Sequence, residues 1–130
     1  MSGEVYGFCD NKCKYEVIKK DSIKLLWSNP NPTEAMGKTT IDLLDDDFDI
    51  YEVFYKTKNN ASTLQSTKSV KGYGCQLITN DGYYNKTASR GLYGGIDKIG
   101  IETAYAGSTT EANEYLIPVY IIGYKTGLFE

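Results

Sequence analysis

The stretch Ile50-Tyr-Glu-Val-Phe-Tyr-Lys-Thr-Lys58 decides the fold class of this chain. Successive side chains of an extended strand point to opposite faces, so Tyr51, Val53 and Tyr55 share one face. The opposite face carries Glu52 and Lys56 together with Ile50 and Phe54. This period of two predicts a β-strand with one buried face.

The rest of the chain repeats this signal. In one later stretch, alternation places Ile99, Ile101, Thr103 and Tyr105 together on one face of a half-buried strand. Its 130 residues are enough for one ordinary domain, and its 12 tyrosines and 13 glycines favour strands and turns over helices. We predict an all-β fold, a single antiparallel β-sandwich of jelly-roll-like type over residues 23–130. The eight candidate strands are Ile23–Trp27, Thr39–Leu44, Ile50–Lys58, Thr67–Tyr73, Cys75–Thr79, Tyr83–Tyr93, Lys98–Tyr105 and Tyr115–Tyr124.

The candidate strand Tyr115–Tyr124 is apolar on both of its faces. Such a strand lies in the centre of a sheet or under a partner, and Pro118 within it requires an edge position or a bulge. We therefore predict a homo-oligomer whose interface includes Leu116, Tyr120 and Ile122. Loops of the chain itself are the alternative cover for this strand.

Residues 1–22 differ in composition from the predicted sandwich. Several lysines follow Asp10, a residue type that caps helix N-termini, so this segment is predicted to be helical or extended. Cys9 and Cys13 lack the second pair that a zinc ribbon needs, and Cys75 makes the cysteine count odd. We expect reduced structural thiols, with no disulfide framework and no bound metal.

Six acidic residues fall between Asp42 and Glu52, a density typical of either a cation site or a solvated turn. Asp45, Asp47 and Asp49 occupy positions 1, 3 and 5 of a calcium-loop pattern. The pattern fails because its glycine position holds Ile50 and its glutamate position holds Lys56. A looser oxygen-ligand calcium site stays open, and the simpler interpretation is a solvated acidic turn.

Several classes of function are disfavoured by what the sequence lacks. The chain has no histidine, so Ser-His-Asp and Cys-His catalysis are absent, and the clustered acids do not resemble a pair of glycosidase carboxylates. A net charge of −3 with a single arginine argues against nucleic acid as a partner. No apolar run approaches the roughly 20 residues of a membrane span, and Met1–Gly7 does not resemble a signal peptide. We expect no catalytic residue and no cofactor.

Carbohydrate binding is an alternative function, because exposed aromatic rings can stack on sugars. Trp27 lies in an apolar strand and is therefore predicted to belong to the core. The remaining candidate ligand-binding residues are Tyr83, Tyr84, Arg90 and Tyr93.

Three stretches of the sequence resemble small tail-fibre-like virion proteins of bacteriophages that infect Gram-positive and gut bacteria. The opening Tyr6-Gly-Phe-Cys-Asp-Asn-Lys-Cys-Lys-Tyr-Glu-Val17 is similar to their start. Leu26-Trp-Ser-Asn-Pro-Asn-Pro32, together with Asp45–Val53, resembles the first strands of their β-sandwich domain. Ile117-Pro-Val-Tyr-Ile-Ile-Gly-Tyr-Lys-Thr-Gly-Leu-Phe129 is similar to its closing strand.

This resemblance implies a non-enzymatic structural protein on the surface of a virion, assembled in the host cytoplasm. It implies contact with other virion proteins, attachment to a host surface that includes a glycan, and threefold or higher association. A capsid decoration protein (a head fibre) and a carbohydrate-binding module are the alternatives. The implied virion anchor is the segment 1–22, with Phe8, Cys9, Cys13 and Tyr15 as its candidate residues.

Overall fold

A computed structural model describes residues 23–57, 64–81, 86–106 and 112–126. Within these ranges the chain forms eight strands and no helix, which confirms the predicted all-β class. The segment 1–22, with its candidate anchor residues, lies outside the described residues. The strands are β1 (Ile23–Ser28), β2 (Thr39–Asp42), β3 (Ile50–Lys56), β4 (Gln65–Val70), β5 (Cys75–Asp81), β6 (Lys86–Gly94), β7 (Lys98–Ala106) and β8 (Ile117–Tyr124).

The eight strands form two antiparallel sheets of four strands each. Sheet A has the order β1-β8-β3-β4, and sheet B has the order β2-β7-β6-β5. The nested pairs β1–β8 and β2–β7 follow the jelly-roll pattern, whereas β3–β4 and β5–β6 are neighbours in sequence as well as in space. The predicted antiparallel sandwich is therefore confirmed.

The core lies between the inner faces of the two sheets. Tyr51, Val53 and Tyr55 of β3 are buried there, as their alternation predicts. The Tyr55 hydroxyl donates a hydrogen bond of 3.1 Å to the carbonyl of Ile78 in β5, which joins the two sheets. Each large side chain buried in this way contributes about 1.5–3 kcal/mol. Sheet B supplies the opposing apolar residues, which are Ile41, Leu77, Leu92, Ile99 and Ile101.

Strand β8 is central in sheet A, between β1 and β3, which explains its apolar character on both faces. Pro118 lies at a register shift in the β3–β8 ladder, so the bulge that a central proline requires is present. Leu116, which precedes the strand, is fully buried and has a φ of 53°. Its prediction as a subunit contact is wrong, because its side chain packs in the core of its own chain.

A bulge in β1 sets the orientation of the tryptophan. Leu25 pairs with Ile122, but Trp27 pairs with Ile121, so β1 contains one extra residue at this point. Leu26 is fully buried, and Trp27 is half-buried beside it. Because a bulge re-aims the side chains that follow it, Trp27 is directed to the margin of the core.

A second bulge interrupts the alternation that was predicted along β7. Ile99 and Ile101 are buried as expected, but the ladder with β6 skips from Ile101 to Ala104. The extra residue reverses the faces, so Ala104 is buried and Tyr105 is exposed. A period of two in the sequence cannot reveal such an insertion.

The end of β6 is in close backbone contact with the segment that precedes β5. A Cβ atom placed on Gly94 would lie 2.0 Å from the carbonyl oxygen of Tyr73. That oxygen also accepts a hydrogen bond of 2.5 Å from the Tyr51 hydroxyl. Glycine is therefore required at position 94, because any side chain would push the two backbone segments apart.

Candidate functional site

A cavity of about 360 Å³ opens between β1, β2 and the loop that connects them. Its volume is at the lower end of the range for ligand pockets, about 300–1,000 Å³. We call it the Trp27 pocket. It is lined by Trp27, Asn29, Pro30, Asn31, Glu34, Ala35, Met36, Thr39 and Ile41.

The loop that forms one wall of the Trp27 pocket is fixed by hydrogen bonds to β8. The side-chain amide of Asn29 donates to the carbonyl of Pro118 at 2.8 Å, and its backbone N–H donates to Val119 at 2.8 Å. The backbone N–H of Asn31 donates to the Asn29 side chain, which forms a local turn before Pro32. The loop is therefore held in place without a ligand.

Arg90 fixes the C-terminal part of the same loop from the core side. Its guanidinium donates to the carbonyls of Met36, at the pocket wall, and of Glu102 at 2.7 Å. The same guanidinium also donates to the side-chain oxygen of Asn113 at 3.3 Å and to the carbonyls of Tyr115 and Leu116 at 3.4 Å. One side chain thus joins the β1–β2 loop, β7 and the segment before β8.

The burial of Arg90 corrects its prediction as a surface ligand-binding residue. The side chain is fully buried, and in the described part of the chain no carboxylate lies within ion-pair distance of it. Burial lowers the pKa of Arg90 to about 10, so the group remains charged at neutral pH. Its role here is to satisfy backbone carbonyls.

The polar groups of the Trp27 pocket are available for a ligand. Asn31, Glu34 and Thr39 line the cavity and are exposed. Among the described residues, their side chains have no hydrogen-bond partner, and neither does the indole N–H of Trp27. Trp27 is half-buried, so its indole N–H can take water or a ligand acceptor as its partner. The pocket therefore combines an apolar wall with polar groups that no other described residue engages.

Tyr93, one of the tyrosines predicted as ligand-binding residues, is separated from both Arg90 and this pocket. Tyr93 is 63% exposed on the outer face of sheet B, where its ring lies beside Gly100. Arg90 faces the interior from the same strand, so the two do not form one site. Tyr83 and Tyr84 lie outside the described residues. Sequence reasoning considered Trp27 but assigned it to the core because it lies in an apolar strand. The bulge in β1, which turns Trp27 to the margin of the core, leaves no signal in the sequence pattern.

The outer face of sheet A is rich in apolar side chains. Ile23 and Leu25 of β1 are about half exposed, and Val70 of β4 is also exposed. Tyr120 and Ile122, predicted as interface residues, are half-buried on this face. The Tyr120 ring stacks on Phe54, with 4.6 Å between ring centroids.

One carboxylate lies in the middle of this outer face. Glu52 is 8% exposed, and the Tyr124 hydroxyl donates a hydrogen bond to it. Burial alone would raise the pKa of Glu52, but hydrogen bonds from Ser66 and Tyr124 and the charge of Lys68 outweigh that effect and lower it. Burial and the bond to Glu52 in turn raise the pKa of Tyr124 to about 12. Glu52 therefore remains ionised and paired at neutral pH.

The acidic turn between β2 and β3 binds lysines of its own chain. Lys24 lies 3.2 Å from the Asp45 carboxylate, and Lys125 pairs with Asp47. The Asp49 carboxylate accepts a hydrogen bond of 2.9 Å from the backbone N–H of Thr126. Within the described ranges, no group of three acidic or cysteine side chains is placed to hold a metal ion. The turn joins the start of β1 to the residues after β8.

Acid is expected to weaken this connection. The pKa of Asp45 is lowered by the backbone N–H of Asp47 and by Lys24, and that of Asp47 by its bond to Lys125. A carboxyl whose pKa is lowered in the folded state stabilises the fold at pH values above its ordinary pKa, near 3.8. This stabilisation is lost as the pH falls through the lowered pKa. Thermal denaturation followed by circular dichroism should show a falling Tm below about pH 4.

Exchange of both aspartates should reduce this acid dependence. The double variant Asp45→Asn, Asp47→Asn has no carboxylate left to protonate at these two positions. The matched control is Asp46→Asn, because the Asp46 carboxylate has no lysine partner within the described residues. A double variant that loses as much Tm in acid as the unmodified chain would contradict the assignment.

Comparison with known proteins adds no family to these observations. No protein-family model matches the chain, and no curated protein matches it by sequence. In the part of the chain that the structure describes, no helix has the length and apolar character to cross a membrane.

Proposed function

We propose that this protein is a non-enzymatic structural component on the surface of a bacteriophage virion, tail-fibre-like and involved in attachment to the host. The observation that supports the proposal is the resemblance of three sequence stretches to such proteins. The described parts of two of these stretches lie on β1, β8 and β3, which are adjacent in sheet A. Stretches that are distant in sequence therefore belong to one sheet.

Labelling of intact particles tests this proposal. An antibody against the purified chain should decorate the outside of virions from a phage that encodes it, as seen by immunogold electron microscopy. Label at the tail supports the attachment role. Label over the head would instead support a role in capsid decoration. Absence of the chain from purified particles, measured by mass spectrometry, would overturn the proposal.

We further propose that copies of the chain associate through the outer face of sheet A, as trimers or larger assemblies. The face is apolar at Ile23, Leu25 and Val70, and the charged residues Glu52 and Lys68 are opposite each other in the β3–β4 ladder. Glu52 and Lys68 thus offset each other's charge and do not oppose the approach of copies. Ile23 and Leu25 lie at the β1 edge of this face and Val70 at its β4 edge, and exposed apolar side chains of this kind are typical of association sites.

A lysine at position 25 should separate the copies. Leu25 is 47% exposed, so Leu25→Lys changes the outer face with little cost to the fold, whereas Tyr120 and Ile122 are half-buried. We expect light scattering at micromolar concentration to give the mass of a folded monomer. The control is Ile78→Lys, at a residue 56% exposed on sheet B, which should leave the assembly intact. A monomeric wild-type chain would refute the association.

A further inference from the structure

We propose that the Trp27 pocket binds a single neutral sugar residue, such as the terminal unit of a cell-surface glycan. The inference specifies the host ligand and so rests on the proposed attachment role. It assigns the ligand to the β1–β2 side of the sandwich, away from Tyr93. The site is formed by one aromatic wall, one carboxylate, one hydroxyl and one side-chain amide, contributed by Trp27, Glu34, Thr39 and Asn31.

The composition of the pocket favours a sugar over other small ligands. Sugars present apolar C–H faces that pack on aromatic rings, together with hydroxyls that both donate and accept hydrogen bonds. The indole, Met36 and Ile41 provide the apolar surface, and the three polar side chains provide donors and acceptors. The lining includes no lysine or arginine, and its one charge is the carboxylate of Glu34. A phosphate or an acidic sugar would therefore be repelled.

The pocket is also preorganised, which a weakly held ligand such as a sugar requires. Its loop is fixed at both ends. Asn29 donates a hydrogen bond to Pro118 of β8, and Arg90 donates one to the Met36 carbonyl. Binding then costs little ordering of the protein, so a few hydrogen bonds suffice for measurable affinity. The volume of about 360 Å³ suits one ring rather than an extended chain.

Trp27 is the only tryptophan of the chain, so its fluorescence reports directly on the pocket. The experiment titrates the full-length protein with methyl glycosides of glucose, galactose and N-acetylglucosamine, after a glycan array has ranked the neutral terminal sugars. We expect a saturable change in emission with at least one neutral glycoside. Glucose 6-phosphate and N-acetylneuraminic acid should leave the emission unchanged.

Variants distinguish this pocket from other surfaces. Thr39→Val and Glu34→Gln each remove one polar contact at an exposed position and should weaken binding about fivefold to tenfold. The matched control is Thr40→Val, on the neighbouring residue of β2 that faces away from the pocket, which should bind as the wild type does. Circular dichroism verifies the fold of each variant.

Three outcomes would overturn the inference. These are the absence of any sugar-dependent signal on the array and in fluorescence, unchanged affinity in both pocket variants, and loss of binding in Tyr93→Ala instead. Sugar binding by the purified chain is independent of particle labelling, so failure here leaves the proposed virion location intact. Conversely, a chain that binds sugars but is missing from virions would refute only the proposed location.

Discussion

Replacement of Arg90 by methionine is expected to destabilise the sandwich by about 3–5 kcal/mol. Methionine removes the cost of burying a charge, but it leaves the carbonyls of Met36, Glu102 and Leu116 without their donor. Each unsatisfied buried acceptor costs roughly 1–3 kcal/mol, and the whole domain has a stability of about 5–15 kcal/mol. We expect Tm to fall by roughly 10–20 °C in calorimetry.

Two further variants isolate the cause of this loss. Arg90→Lys keeps a positive charge but loses the planar fork of donors, so it should be nearly as unstable as the methionine variant. Lys98→Met removes an exposed cation that pairs with Asp42, and it should change stability by no more than about 0.5 kcal/mol. An Arg90→Met protein that melts with the wild type would show that the network contributes no stability.

Alanine at position 94 is expected to cost more than about 3 kcal/mol and to prevent folding at elevated temperature. The added Cβ atom would lie 2.0 Å from the Tyr73 carbonyl oxygen and 2.7 Å from the Tyr73 nitrogen. These are backbone atoms, which cannot rotate away as a side chain could. The Tyr73 carbonyl is also fixed by the Tyr51 hydroxyl, so relief of the collision would break a hydrogen bond in the core. Urea denaturation gives the free energy of unfolding.

Gly100 provides the matched control, since it lies in the adjacent strand of the same sheet. An alanine Cβ there would be 3.5 Å from the Tyr93 ring, an ordinary contact. Gly100→Ala should therefore change stability by less than about 1 kcal/mol, with reduced entropy of the unfolded chain as a small gain. Equal stabilities of the two alanine variants would mean that Tyr73 and Gly94 are not in close contact.

The strands were predictable from the sequence because burial of one face imposes a period of two. That period places Tyr51, Val53 and Tyr55 on the inner side of β3, where the structure has them. It fails where a strand contains one extra residue, because every side chain beyond that point changes face. For this reason Tyr105 is exposed against expectation, and Trp27 lies at a pocket wall.

The prediction of Arg90 as a ligand-binding residue required an exposed side chain, as most arginines have. The sequence contains a contrary signal, because Ala88, Arg90 and Leu92 occupy alternate positions of one strand and the two neighbours are apolar. All three are buried in the structure. The acceptors around the guanidinium come from segments distant in sequence, so no local pattern could reveal them.

The central position of β8 constrains the order in which this protein can fold. Until β8 has been synthesised, β1 has no neighbour in sheet A and β3 has β4 alone. The hairpins β3–β4 and β5–β6 need only local contacts and can form early, whereas both β1–β8 and β2–β7 require long loops to close first. A chain emerging from the ribosome therefore exposes the unpaired sides of β1 and β3, edges that other chains can capture, until insertion of β8 between them completes the sheet.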